Sequence, residues 1–203
     1  MKLLLSLSSP YARKVRVTAR VKGLANQIEE VITNPSNADN AFLLSSNPLS
    51  KIPVLVTDDG TPIYDSHVIC EYLDAQVASP TLFPGEGPAR WATLTTASLA
   101  DGILDAAVLI VYEGRFRSEE TRNADWVNRQ WDKINGAITQ LEAHPPEWTG
   151  HPNYGDITVA CALGYLDFRY EGKWRAASPK MVAWLEKFAA AVPAFAETTP
   201  PAG

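Results

Sequence analysis

Two neighbouring segments carry residues that suit the binding of a short, extended peptide. Pro53 stands just before the apolar run Val54-Leu55-Val56. A proline removes a backbone donor, so we expect it at the start of a strand, and an X-Pro bond is where a cis peptide is least costly. Such a turn would leave the backbone N–H and C=O of Ile52 available to an extended ligand.

Asp65 and Ser66 follow, directly before the apolar segment Val68–Leu73. Either side chain can cap a helix that begins here, and the first N–H groups of a helix form a ready site for a carboxylate. A backbone-pairing edge beside an anion pocket describes a receptor for a short, acidic peptide.

A third segment, Ser8-Ser9-Pro10-Tyr11, places hydroxyl groups near the start of the chain. Ser9 is expected in the loop between the first strand and the first helix, because Pro10 suits the first turn of a helix. A hydroxyl there can donate a hydrogen bond to an anion, and the helix start adds a favourable partial charge. The alternative is that Ser8 or Ser9 only caps the helix, which is the commoner role of such a serine.

The order and spacing of these motifs resemble those of the glutathione S-transferase superfamily. The matching segments are Ser8–Arg16, Asn47–Leu55 and Asp65-Ser66-x-x-Ile69, and Asn153–Leu163 resembles the capped core helix of the family's second half. The resemblance covers nearly the whole chain. It is greatest to the small bacterial members that carry serine in the first loop.

The resemblance implies how glutathione, as co-substrate, would be held. Lys51 would neutralise a glutathione carboxylate, and Ile52 would pair with the cysteinyl backbone ahead of a cis Pro53, which is a structural residue. Asp65 and Ser66 would bind the γ-glutamyl end, the carboxylate to its ammonium and the hydroxyl to its carboxylate.

Ser9, the serine immediately before proline, would be the catalytic residue that faces the glutathione thiol, with Ser8 as a neighbour that could substitute. A thiol with a pKa of about 8.5 is only roughly 3% thiolate at pH 7. A hydrogen bond to the charged form, worth about 1.5–3 kcal/mol, would lower that pKa by roughly one to two units. The thiolate is the nucleophile, so Ser9 could act without being a base.

Other residues have less specific roles. Tyr11, Asp105 and Tyr112 are candidates for a second-substrate site, for a small electrophilic molecule. Asn153 and Asp156 have capping-box spacing, with Asp in place of the usual Glu or Gln, and we expect them to be structural.

The resemblance leaves alternatives to conjugation. The chain could bind glutathione with little or no conjugating activity, because a fold alone does not establish function. Zeta-like isomerisation is disfavoured since Pro10 stands where those members have cysteine. Omega-like thiol-disulfide exchange would need cysteine in place of Ser9. The family is usually homodimeric, so a homodimer is expected.

Composition excludes some classes of function. The 203 residues include 46% hydrophobic and 20% charged residues, as in an ordinary globular protein, and the net charge of −5 argues against nucleic acid as a partner. A local basic cluster is expected to form a solvated or inter-subunit face of the first helix. It consists of Arg13, Lys14, Arg16, Arg20 and Lys22.

The sequence also indicates a cytoplasmic protein without a metal. Cys70 and Cys161 are far apart and are expected to be reduced core thiols, with no metal-ligand cluster. The first apolar run is too short for a secretion signal. The strongest candidate for a membrane span, Ile103–Tyr112, is too short and contains Asp105.

The predicted fold class is α+β. The order β-α-β-(α)-β-β-α, with a weak helical segment over Ala38–Ser46, fits a mixed four-stranded sheet with helices on its faces at 1–77. The resemblance implies that this is the thioredoxin-like domain of the family. A Pro- and Gly-rich linker follows at 78–87, and an all-helical domain at 88–203. The tail from Thr198 is expected to be frayed.

Overall fold

The computed structural model of the chain describes residues 1–35 and 40–201. It forms two compact units: one contains Met1–Gly85 and the described residues from Val192 onward, and the other contains Glu86–Ala191. The boundary at Gly85 falls within the expected linker 78–87. The return of the chain to the first unit at Val192 differs from the expected helical domain at 88–203.

Four strands form the sheet of the first unit: Lys2–Leu5 (β1), Glu29–Ile32 (β2), Val54–Val56 (β3) and Pro62–Ile63 (β4). The sheet order is β2-β1-β3-β4. β1 is parallel to β2 and antiparallel to β3, and β4 is antiparallel to β3. Leu4 and Val54 are opposite each other and fully buried, with Leu43 packed against them. This arrangement confirms the predicted mixed four-stranded sheet.

Helices account for most of the remaining described residues: Pro10–Val21 (α1), Ala41–Ser46 (α2), Ser66–Gln76 (α3), Gly87–Phe116 (α4), Ala124–Ala143 (α5), Tyr154–Tyr170 (α6), Pro179–Ala191 (α7) and Pro193–Glu197 (α8). The segment expected from Ala38 begins outside the described residues, and its described part is α2. The helices α1, α2, α3 and α8 belong to the first unit, and α4 to α7 form the second.

The basic cluster of α1 is buried, so the expectation of a solvated face is wrong. Acidic partners from other segments explain the burial: Arg16 Nε lies 2.9 Å from a carboxylate oxygen of Glu30, and Lys22 Nζ lies 2.8 Å from one of Asp74. Charged groups are buried when they are paired and hydrogen-bonded. The buried members are Arg13, Lys14, Arg16 and Lys22.

The C-terminal segment is held against α1, which corrects the expectation that it frays from Thr198. Thr198 is fully buried, and its hydroxyl donates to the Ala194 carbonyl at 2.8 Å. Arg16 Nη1 donates to the Thr198 carbonyl at 3.3 Å. These contacts explain why the chain from Val192 packs with the first unit.

In the second unit α4 packs against α5 and α6. α4 is long and apolar enough to cross a membrane by length and composition alone, in contrast to the expectation of no such segment. Its residues Ala97, Ala100, Ile103 and Leu104 are buried against the other helices of this unit. Core helices commonly show this composition.

α6 begins with a capping box formed in both directions. The Asn153 side chain accepts from the Asp156 amide at 3.0 Å, and the Asp156 carboxylate accepts from the Asn153 amide at 2.9 Å. Gly155 lies so close to α4 that an added Cβ would be 2.9 Å from the Thr93 carbonyl oxygen. A helix start without side-chain bulk is therefore required at this position.

Candidate active site

Three of the sequence-predicted segments meet at one edge of the sheet. β1 ends at Leu5, just before the loop that carries Ser9. Because β3 is antiparallel to β1, its beginning at Val54, after Ile52, lies at the same edge. β4 is antiparallel to β3, so its end at Ile63, before Asp65, returns to that edge. The topology therefore brings together residues that are far apart in sequence.

Ser9 is the N-cap residue of α1 and is half-buried. Its Oγ accepts a hydrogen bond from the Ala12 amide at 3.3 Å, and its own amide donates to the Ser6 carbonyl at 3.0 Å. A hydroxyl that accepts in this way still has its proton to donate. Ser8 differs, because its Oγ lies 3.1 Å from the Ser6 Oγ. Capping and donation to an anion are thus compatible at Ser9.

Ile52 lies just beyond the end of the ladder between β1 and β3, and its peptide bond to Pro53 is cis. The Ile52 side chain packs against the buried Leu4 and Val54. Lys51 is exposed, and within the described ranges no carboxylate pairs with its ammonium group. The ammonium group of Lys51 is therefore available to a ligand, and the backbone of the next residue, Ile52, lies outside the sheet.

Asn47 begins one of the matching segments, but the sequence analysis assigned it no role. It is buried, its Nδ2 donates to the Lys51 carbonyl at 3.0 Å, and its Oδ1 accepts from the Leu49 amide at 3.0 Å. It therefore holds the loop that leads to Ile52. The signal available in the sequence was an asparagine before a proline, which is typical of a side-chain-stabilised turn.

Asp65 and Ser66 begin α3. Asp65 is exposed and its Oδ1 accepts from the His67 amide at 3.0 Å, which makes it the N-cap. Ser66 is buried, and no other residue of the described chain hydrogen-bonds its hydroxyl. A buried hydroxyl at a helix N-terminus, beside the cap carboxylate, can recognise a group that carries both an ammonium and a carboxylate.

The candidates for the second substrate lie in both units. Tyr11 is half-buried in the first unit, with Lys14 Nζ 5.7 Å from the centre of its ring. Tyr112 and Asp105 are exposed on α4 in the second unit. Tyr112 contacts Phe116 edge to face, with ring centres 5.2 Å apart.

The structure gives no support to a metal site: within residues 1–35 and 40–201, no group of His, Cys, Asp or Glu could hold an ion. Cys70 and Cys161 are both buried thiols. A groove of about 650 Å³ lies in the second unit between α5 and the segment 173–180, lined by residues such as Trp131, Ile138 and Trp174. It contains none of the predicted site residues.

Comparison with known proteins decides the family. The model of the glutathione S-transferase N-terminal domain matches residues 8–76, and the model of the C-terminal domain matches residues 124–187. The chain belongs to the glutathione S-transferase superfamily. Ser9, Ile52 and Ser66, the candidate site residues at the sheet edge, all lie within the range that matches the N-terminal domain.

Individual members of the superfamily match along their full length. The uncharacterized GST-like protein YibF of Escherichia coli (strain K12) is 35% identical over 205 residues, which are 99% of each chain. A glutathione transferase family member from Pseudomonas fluorescens Pf-5, crystallised with bound glutathione, is 42% identical with a TM-score of 0.94 over 98% of each chain. A second crystal structure from that organism, with bound S-(propanoic acid)-glutathione, is 41% identical with a TM-score of 0.89 and covers 99% of this chain and 100% of that one.

Proposed function

We propose that this transferase-family chain binds glutathione at the sheet edge and uses it as co-substrate. The observation that carries the proposal is the convergence of Ser9, Ile52 and Ser66 at one edge, each on a different strand connection. Ile52 pairs with the cysteinyl backbone, and Lys51 attracts the glycine carboxylate. The bound glutathione and glutathione conjugate in the two Pseudomonas crystal structures support this assignment.

The γ-glutamyl end of glutathione is held by α3. The Asp65 carboxylate faces its ammonium, while the Ser66 hydroxyl and the first amides of α3 donate to its carboxylate. Ser66 is suited to this because its hydroxyl makes no hydrogen bond with the rest of the described chain. The γ-glutamyl carboxylate therefore accepts from a hydroxyl that no described residue engages.

Ser9 activates the thiol by donating its hydroxyl proton to the sulfur in a hydrogen bond. This favours the thiolate by lowering its pKa, and the thiol proton is released to solvent. The thiolate then attacks an electrophilic carbon of a small molecule: a C–S bond forms, and a leaving group departs with the electron pair of the bond that breaks.

A second candidate is a glutathione-binding protein with little conjugating activity. The bond from the Ala12 amide to Ser9 Oγ favours it, because capping alone accounts for this serine. We infer a cytoplasmic homodimer for either function, as expected for the family.

Isothermal titration with glutathione, followed by turnover of 1-chloro-2,4-dinitrobenzene, tests the proposal. Ser66→Ala should weaken glutathione binding by about tenfold or more, since hydrogen bonds to charged groups are worth about 1.5–3 kcal/mol. Ser45→Ala is the matched control, because Ser45 is exposed on α2 and donates only to the Phe42 carbonyl. Binding without turnover across several electrophiles would favour the second candidate, and absence of binding would overturn both.

A further inference from the structure

Asn47 is hydrogen-bonded through both its side chain and its backbone. Its Nδ2 donates to the Lys51 carbonyl and its Oδ1 accepts from the Leu49 amide, both at 3.0 Å. Its amide donates to the Leu43 carbonyl at 2.8 Å, and its carbonyl accepts from the Ser50 amide at 2.9 Å. Asn47 is only 2% exposed, so water does not compete for these bonds.

The turn that Asn47 holds has a fixed shape. Leu43, at its start, is fully buried and packs with the sheet core. Ser50, near its end, has a φ of 51°, in the left-handed region that residues other than glycine rarely adopt. Such a backbone persists only where the surrounding structure determines it. The Asn47 side chain does so here, because it bonds Leu49 and Lys51 on either side of Ser50.

The bond to the Lys51 carbonyl also sets the direction of the next amide. The peptide bond between Lys51 and Ile52 is trans, so its carbonyl and its N–H point in opposite directions within one plane. Because the carbonyl points into the turn towards Asn47, the Ile52 N–H points away from the turn.

The Ile52 backbone can pair with an extended ligand. The register between β1 and β3 ends at Leu4 and Val54, so Ile52 lies outside the ladder. No described residue hydrogen-bonds either its N–H or its carbonyl. A ligand with an extended backbone would supply one acceptor and one donor, and so complete this edge of the sheet.

We propose that Asn47 is a positioning residue for glutathione: by holding the Lys51 carbonyl it aims the Ile52 N–H at the cysteinyl carbonyl, and it thereby sets the affinity of the site. This inference rests on the proposed function. Asn47 acts through the peptide between Lys51 and Ile52. An asparagine that served only the fold would change stability and leave the affinity of the folded protein unchanged.

Asn47→Asp tests the donor separately from the rest of the side chain. The carboxylate keeps an oxygen that accepts from the Leu49 amide, but its other oxygen cannot donate and repels the Lys51 carbonyl. Isothermal titration should show glutathione binding weakened by about tenfold, which corresponds to the loss of one or two hydrogen bonds. An unchanged affinity in the folded variant would overturn the proposal.

Thr57→Ala is the matched control. Thr57 Oγ also stabilises a turn of the first unit, because it donates to the Thr61 carbonyl at 3.0 Å and accepts from the Thr61 amide at 3.1 Å. This turn follows the end of β3 at Val56, whereas Ile52 precedes its beginning. Both variants should lower the melting temperature, but Thr57→Ala should leave glutathione affinity unchanged. An equal loss of affinity in the two variants would show a general effect of destabilisation and overturn the proposal.

Double-mutant cycles identify the part of the site on which Asn47 acts. Asn47→Asp and Lys51→Ala alter the same segment, so their effects on glutathione affinity should be non-additive. Asn47→Asp and Ser66→Ala alter separate segments, and their effects should add. Additivity with Lys51→Ala together with coupling to Ser66→Ala would contradict the inference.

Amide hydrogen exchange in the parent chain tests the inference without a variant. The Leu49 amide should be protected by Asn47 both with and without glutathione. The Ile52 amide should exchange faster than that of Leu49 in the free protein, and saturating glutathione should slow it by about tenfold or more. Glutathione binding that leaves the Ile52 exchange rate unchanged would overturn the role of Asn47 and leave the proposed function intact. Failure of glutathione to bind would overturn both.

Discussion

The Arg13 guanidinium donates a 2.8 Å hydrogen bond to the Phe195 carbonyl and lies 4.0 Å from the centre of the Phe195 ring. Arg13 is only 4% exposed, so its guanidinium is shielded from solvent. Its amide donates to the Ser9 carbonyl at 3.0 Å. One residue thus joins the start of α1, where the candidate catalytic serine lies, to the C-terminal segment.

Replacing Arg13 should destabilise the first unit. Arg13→Met is expected to lower the free energy of unfolding by about 1–3 kcal/mol, because the Phe195 carbonyl loses this donor and keeps only the longer bond from the Thr198 hydroxyl. Urea unfolding measures the effect, with Lys2→Met as control: Lys2 is exposed and 3.6 Å from Glu29, and should change stability by less than about 0.5 kcal/mol.

A double-mutant cycle isolates the ring contact. Phe195→Leu removes the ring and keeps the backbone acceptor, so its coupling with Arg13→Met should be about 0.5–2 kcal/mol. Additive effects would show that the ring contributes nothing to holding Arg13.

Gly155→Ala should strongly destabilise the second unit. The new Cβ would lie 2.9 Å from both the Asn153 Oδ1 and the Thr93 carbonyl oxygen, and the backbone oxygen cannot move alone. We expect a loss of about 1–3 kcal/mol in thermal or urea unfolding. Gly102→Ala and Gly136→Ala are matched helical controls with nothing within 4 Å of the added atom. They should be neutral or stabilise by up to about 1 kcal/mol, and an equal loss in all three variants would contradict the close approach.

Asp156 should make stability depend on pH. Burial raises the pKa of its carboxyl to about 6 from 3.8, although the hydrogen bond from the Asn153 amide opposes this. The folded state therefore keeps a proton that the unfolded state has released. The stabilisation from this residue is fully present below about pH 3.8 and is lost as the pH rises to about 6.

Asp156→Asn removes this dependence and keeps an oxygen that can accept from Asn153. Relative to the parent chain, the variant should gain about 2–3 kcal/mol in free energy of unfolding between pH 4 and pH 7. Urea unfolding of both proteins across that interval gives the difference directly. A difference that does not change with pH would show that Asp156 titrates normally.

The sequence predicted the elements whose signals are local. The proline that begins α1, the proline just before β3, and the capping residues Asp65 and Asn153 all stand within a few positions of what they determine. The starts of α1, α3 and α6 and the cis Ile52–Pro53 bond accordingly agree with the prediction.

What the sequence did not predict depends on partners far along the chain. The basic face of α1 is buried because the carboxylates of Glu30 and Asp74 and the carbonyl of Phe195 accept its hydrogen bonds. No pattern near α1 in the sequence indicates these distant acceptors. α5 begins at Ala124, because Asn123 caps it while Glu113 accepts a hydrogen bond from the Asn123 amide.

The central claim is that Ser9 activates bound glutathione, and the thiolate absorbance of the complex across pH tests it most directly. In the parent chain the pKa of the bound thiol should lie about one unit or more below its ordinary value of about 8.5. Ser9→Ala should return it towards that value while glutathione affinity stays nearly unchanged. Ser8→Ala is the matched control and should leave the lowered pKa in place. An unshifted pKa in the parent chain, or the same lowered pKa in Ser9→Ala, would contradict the account.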